Sequence, residues 1–253
     1  MELAYETYGD PAKPAILLQH GFLSCNGQWL LNRETLGAKY YLVMVELWGH
    51  GNSPTPTDIT HYTVDTYCRQ FEAIRAALNI PRWHLIGQSY GVGIVLNYAI
   101  RFPQVCSSLV ATNSKSAFGQ QSASQSKRRY PQNHENFDAR KLPYHPIHAR
   151  RFPAHVKHAM VTSADTMSAE AIILGGKLGA NLNCNDRVGE LTVPLLIANG
   201  QYEKSFQTDL AVLQQRYPHL RVENLAGGHS VNIEAADAFN QVVLEFLTSN
   251  RDK

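Results

Sequence analysis

Three side chains carry the chemistry that this sequence can do: Ser89, Glu203 and His229. A serine hydroxyl becomes a nucleophile only when a base takes its proton, and an imidazole is that base when a carboxylate fixes its tautomer. Ser89 sits in Gly87-Gln88-Ser89-Tyr90-Gly91, between the apolar run WHLIG (83–87) and the apolar helical segment IVLNYAIRF (94–102). A strand that turns at once into a helix strains its middle residue and crowds the backbones on either side. Glycines two places before and two places after relieve that crowding. The new helix also aims N–H groups and a partial positive charge at the serine.

Three further pieces stand at the ends of apolar runs. His20-Gly21-Phe22 follows AILLQ, and the Phe22 N–H with the Tyr90 N–H would make a two-donor oxyanion hole. Here His20 reads as a packing and hydrogen-bonding residue beside that turn. Gly200-Gln201-Tyr202-Glu203 follows VPLLIAN and supplies a carboxylate; Asp209 is its nearest rival but reads as part of the next helix. Gly227-Gly228-His229-Ser230 follows RVENLA. Two glycines let His229, one of eleven histidines, approach the serine as general base. Each piece has a plain alternative: a small-residue turn, a solvated glutamate, a surface histidine.

The elements that must position these residues are legible in outline. AILLQHG (15–21), YLVMVEL (41–47), WHLIG (83–87), SSLVATN (107–113), VPLLIANG (193–200) and RVENLAG (221–227) are short apolar runs bounded by turn residues. They suit strands buried on both faces of a largely parallel sheet. Between them lie helical periods. Val64, Tyr67, Cys68, Phe71, Ile74, Ala77 and Leu78 share one face, with Thr63 or Asp65 as cap. Ala235, Ala238, Phe239, Val242, Val243, Phe246 and Leu247 share another. Strand alternating with helix predicts an α/β fold with a doubly wound sheet. The alternation stops over residues 114–186, which read as an inserted, mainly helical lid above the carboxyl ends of the strands; 1–113 and 187–253 form the core.

The chain resembles the α/β-hydrolase superfamily over nearly its whole length, through HGF (20–22), ELWGHGNS (46–53), GQSYG (87–91), GQYE (200–203) and GGHS (227–230). Nucleophile, acid and histidine also follow in that superfamily's chain order. The resemblance implies an eight-stranded, mostly parallel sheet, a cap inserted after the sixth strand, and a Ser89–His229–Glu203 triad. Related enzymes include carboxylesterases, thioesterases, carbon–carbon bond hydrolases, cofactor-free haloperoxidases and a pyruvate-eliminating lyase. The acid is usually Asp; here it is Glu203. The pattern D-x-R-G-x-G-x-S reads Glu46 to Ser53 without its Arg, and the usual double glycine after the elbow is Gly91-Val92. Serine rather than Asp at position 89 argues against the dehalogenase and epoxide-hydrolase branches.

The expectation is a serine hydrolase that cleaves a carboxylic ester or thioester through an acyl-enzyme. The alternatives are a C–C hydrolase, lyase or acyl transferase using the same triad, and a non-catalytic binding protein on the same fold. Tyr90, Trp48, Phe118 and Trp29 are expected pocket walls, with core packing the plainer reading for Trp29. No cofactor and no metal are called for, since the histidines have no ligand spacing. The four cysteines show no pairing pattern, and Cys68, Cys106 and Cys184 read as reduced filler. The N-terminus lacks a signal-peptide pattern and no apolar run is long enough to span a membrane, so the reading is a soluble, cytoplasmic protein. Net charge is +2, which offers no global case for nucleic acid, but it is uneven. From Lys115 to Lys157, nine Lys and Arg face only Glu135 and Asp138, a local charge of +7 that leaves −5 for the rest. The plain reading is a solvated lid. The sharper one is a surface that attracts an anionic or carrier-bound acyl substrate.

Overall fold

A computed structural model describes residues 1–120 and 137–250. Lys127, Arg128, Arg129, His134 and Glu135 of the basic segment lie outside the described residues. The strands are β1 (Tyr5–Tyr8), β2 (Ala15–Gln19), β3 (Tyr41–Val45), β4 (Trp83–Gly87), β5 (Cys106–Ala111), β6 (Leu195–Gly200) and β7 (Arg221–Leu225). The helices are α1 (Arg33–Gly37), α2 (Val64–Ala77), α3 (Tyr90–Arg101), α4 (Lys115–Phe118), α5 (Ala154–Thr166), α6 (Ala169–Gly179), α7 (Lys204–Arg216), α8 (Val231–Glu234) and α9 (Ala236–Ser249).

Among the described residues the sheet has seven strands, in the order β1-β3-β2-β4-β5-β6-β7. That corrects the expected eight. Only β1 precedes β2, and it runs antiparallel to β3 with Tyr5 opposite Val45. The remaining strands are parallel. The inserted segment therefore follows the fifth strand, not a sixth. All residues of β2, β3, β4 and β5 are buried, as expected where helices cover both faces. Their side chains alternate between two cores. Leu17, Val43, Leu85, Leu109 and Ile197 face one side and meet α2, α3 and α7. Ile16, Leu18, Leu42, Met44, Ile86 and Val110 face the other and meet α1 and α9; Trp29 packs there too.

Local sequence explains the helix ends. Thr63 Oγ1 accepts the Thr66 N–H and caps α2. Ser168 does the same for α6. Between β5 and β6 lie α4, α5 and α6. Phe118, Leu174 and Leu178 from this stretch join the first core, while Val156 and Met160 of α5 pack on Cys25 and Ile233. All four cysteines are free and buried. Burial pushes the thiols of Cys25 and Cys68 up to about 11, and those of Cys106 and Cys184 up to about 12. No helix among the described residues is long and apolar enough to cross a membrane.

Strand order reverses direction at β2: β3 lies on one side of it and β4 on the other. Connections leave that point in opposite directions and open a crevice at the carboxyl ends of β2 and β4. The HGF turn and the serine elbow are the segments that emerge there.

Candidate active site

Ser89 has φ +50° and ψ −113°, the strained conformation expected of an elbow. The glycines on either side are steric necessities. A Cβ at Gly87 would lie 2.7 Å from Val92 Cα, and one at Gly91 would lie 2.5 Å from the Gln19 carbonyl oxygen. Two residues beyond β5 hold the elbow backbone. Thr112 Oγ1 accepts the Ser89 N–H at 3.2 Å, and Ser114 Oγ donates to the Ser89 carbonyl at 2.6 Å.

The structure brings Ser89, His229 and Glu203 into one hydrogen-bonded chain. His229 Nε2 is 2.8 Å from Ser89 Oγ, and Nδ1 is 2.9 Å from Glu203 Oε2. With the carboxylate accepting at Nδ1, the neutral ring carries its proton there and offers a lone pair at Nε2 to the serine. Burial pushes the Glu203 carboxyl up, but bonds from His229 and Asn113 and the nearby His229 outweigh it, and the net direction is down. Asp209 is elsewhere: it faces Lys115 Nζ at 3.8 Å and accepts the Gln120 N–H.

Asn113 was not singled out in the sequence. It is fully buried two residues past β5. Its amide donates to Glu203 Oε2 and to the Gly200 carbonyl, both at 2.9 Å, and accepts the Gly200 N–H at 2.8 Å. It thereby ties the acid to the end of β6. The signal was a polar residue closing a buried apolar run, which is easily read as a strand end.

The HGF turn, where the oxyanion donors are expected, is equally tied. Among the described residues no group accepts the Phe22 N–H. Leu23, with φ +54°, donates its N–H to His50 Nε2 at 3.1 Å. The other nitrogen of His50 then donates to the Trp48 carbonyl at 2.9 Å. Burial, aided by nearby His20, lowers the His50 pKa to about 3 against a weaker opposing bond to Trp48, so the ring stays neutral. His20 is also buried. Its Nδ1 meets the Gly21 carbonyl at 2.7 Å and its Nε2 accepts from Leu47 N. Glu46 Oε1 accepts the Asn26 N–H, and its Oε2 lies 2.8 Å from His20 Nε2. Where the family pattern has an Arg ion pair, this chain has a buried Glu46–His20 contact.

Trp48 and Phe118, two of the expected pocket walls, have no exposed surface. Both belong to the first core, with Trp48 against Tyr67 and Phe118 against Phe206. The rings that do gather at the oxyanion turn are Phe22, Tyr90, His50 and Tyr144. Among the described residues no group of His, Cys, Asp and Glu is arranged to hold a metal ion.

Residues 14–154 match the family model described as alpha/beta hydrolase fold. A Bacillus subtilis (strain 168) protein named "Putative 2-succinyl-6-hydroxy-2,4-cyclohexadiene-1-carboxylate synthase" is 24% identical over 263 residues, which is 95% of this chain and 93% of that protein. Among solved structures, MenH from S. aureus is similar with a TM-score of 0.80 at 22% identity, covering 98% of this chain and 99% of its own. The enol-lactonase from Burkholderia xenovorans LB400 is similar with a TM-score of 0.79 at 20% identity, covering 97% and 96%. With a family model over more than half of its length, the chain belongs to the α/β-hydrolase fold family.

Proposed function

We propose that the protein is a serine hydrolase that cleaves a carboxylic ester or thioester through an acyl-enzyme. The observation that carries the reading is the unbroken chain Ser89 Oγ–His229 Nε2, Nδ1–Glu203 Oε2. Ser89 attacks the acyl carbon while His229 Nε2 takes its proton. Negative charge gathers on the acyl oxygen, toward the N–H groups of Phe22 and Tyr90. His229 then returns the proton to the departing alcohol or thiol. Water, activated by the same nitrogen, releases the acid and restores Ser89. Glu203 holds the ring and stabilises the imidazolium without taking the proton itself. The segment between β5 and β6 serves as the lid over this site.

Intact-mass labelling with a fluorophosphonate probe tests the reading. A stoichiometric adduct on the wild type, lost in Ser89→Ala, is the expected result. A folded wild type that takes no adduct would overturn it.

A second reading keeps the Ser89–His229 pair as a base for elimination or carbon–carbon cleavage. The synthase name of the Bacillus subtilis relative favours it. It predicts covalent trapping together with very slow turnover of simple esters, whereas the first reading predicts both to be fast.

A further inference from the structure

Helix α6 carries Gly175 and Gly176 in its interior. Glycine weakens a helix interior, so its presence asks what comes close at that point. At Gly175 the neighbour is the oxyanion turn. A Cβ built there would lie 2.6 Å from Phe22 Cε2 and 3.4 Å from Cζ. The Gly175 carbonyl also accepts the Tyr90 hydroxyl at 2.8 Å. The Phe22 and Tyr90 rings stack on each other, with centroids 5.2 Å apart at 27°. His50 lies against the Phe22 ring at 5.4 Å while holding the Leu23 N–H. The side chains of the two residues assigned above as oxyanion donors therefore meet at a single residue of α6.

We infer that Gly175 is a positioning residue for the oxyanion hole: the close approach of α6 at this point sets the spacing of the Phe22 and Tyr90 donors. The inference rests on the hydrolase reading above. Oxyanion donors act through preorganisation, and a displacement well under an ångström weakens them. A methyl group at position 175 must sit roughly 3.5–4.0 Å from an aromatic carbon, so the ring has to retreat by about 1 Å. Tyr90 and His50 lie against the same ring and limit its rotation, so part of that movement passes to the Phe22–Leu23 turn. Gly175 makes no hydrogen bond to Ser89, His229 or Glu203, whose partners lie on the elbow and beyond β5, β6 and β7. The acyl oxygen gains most of its charge in the transition state, so the loss falls on kcat and leaves KM in place.

The test is steady-state hydrolysis of a short-chain p-nitrophenyl ester by the wild type, Gly175→Ala, Phe22→Leu and the double variant. Gly175→Ala lowers kcat by about 10–100-fold, short of losing a whole donor, with KM within about threefold and the acid limb of the pH profile unmoved. Phe22→Leu removes the ring atoms that clash, so the double variant recovers several-fold over Gly175→Ala alone, a non-additivity that a general loss of structure would not give. Tyr90→Phe removes the bond to the Gly175 carbonyl and lowers kcat by about 3–10-fold, which reads the same coupling without steric load. Wild-type kcat in both Gly175→Ala and Tyr90→Phe, or strictly additive effects in the double variant, would overturn the inference alone. A wild type that takes no fluorophosphonate and hydrolyses no ester overturns the hydrolase reading, and this inference with it.

Discussion

Glu203 does two jobs with one oxygen, since Oε2 receives both His229 and Asn113. Replacing it with Gln keeps the shape and presents the wrong partner to His229 Nδ1. The expected loss in kcat is on the order of 10⁴-fold, by analogy with the equivalent change in other triads. Asn113→Ala leaves the acid in place but unties it from β6 and orphans the Gly200 N–H. Here kcat/KM falls by about 10-fold and stability by about 1–3 kcal/mol, read by kinetics and denaturant melts. Because the Glu203 carboxyl is held below its ordinary value of 4.5, its contribution to stability is full above that pH and is lost as pH falls through the lowered value. His50 acts over a higher window. The unfolded ring takes a proton near 6.5 and the folded one only near 3, so stability drains as pH falls between those values, by up to about 1.4 kcal/mol per pH unit. Denaturant melts from pH 7 to pH 4 should show that slope in the wild type and a shallower one in His50→Gln. Ser89, Glu203 and His229 were legible because each stands with a glycine just past an apolar run. The anchors Asn113 and His50 were not, since a buried polar residue at a strand end looks like any turn residue. Trp48 misled for the opposite reason: an aromatic near a site packs as readily as it lines.

The junction of β4 and α3 is the element on which the proposed chemistry depends. At Gly87 and Gly91 an added Cβ meets backbone atoms rather than the far end of a side chain, so no rotamer change relieves it. Gly87→Ala or Gly91→Ala should cost about 2–3 kcal/mol and lower Tm by about 5–10 °C in calorimetry. Equal melting temperatures would mean that the strand can part from the helix without loss. The buried strands β2 to β5 were legible as apolar runs. By contrast β1 was not: YETY is short, polar and exposed along its length, and only pairing with β3 makes it a strand. The eighth strand was an inference from resemblance, not from residues. The stretch between β5 and β6 was legible as helical but not as part of the core, because Phe118, Leu174 and Leu178 reach the first core only through tertiary packing.

At the scale of the molecule, the reversal of strand order at β2 gathers the HGF turn and the Ser89 elbow at one crevice, and the parallel run outward brings Asn113, Glu203 and His229 to the same edge. Charge is distributed less simply than the sequence suggests. Lys115 faces Asp209, Arg140 clasps Asp165, and Arg151 reaches Glu234 while lying over the Tyr202 ring. Part of the positive charge of the inserted segment is thus spent inside the fold. If what remains draws in acidic substrates, kcat/KM for an acidic ester should fall steeply between low and high salt while a neutral ester changes little. Parallel responses of the two esters would remove electrostatic attraction from the account.

The buried thiols have a practical consequence. A thiol with its pKa near 11 or 12 and little or no access to solvent reacts slowly with alkylating reagents, so modification of the native chain by such a reagent passes mainly through an opened form. Cys106 lies in β5, at the centre of the first core, and reacts only when the sheet comes apart. Cys25 lies under α5, against Val156 and Met160, and reacts when that helix lifts. The chain carries its own pair of clocks: the rate at Cys25 times the lifting of α5, and the rate at Cys106 times the loss of the whole fold.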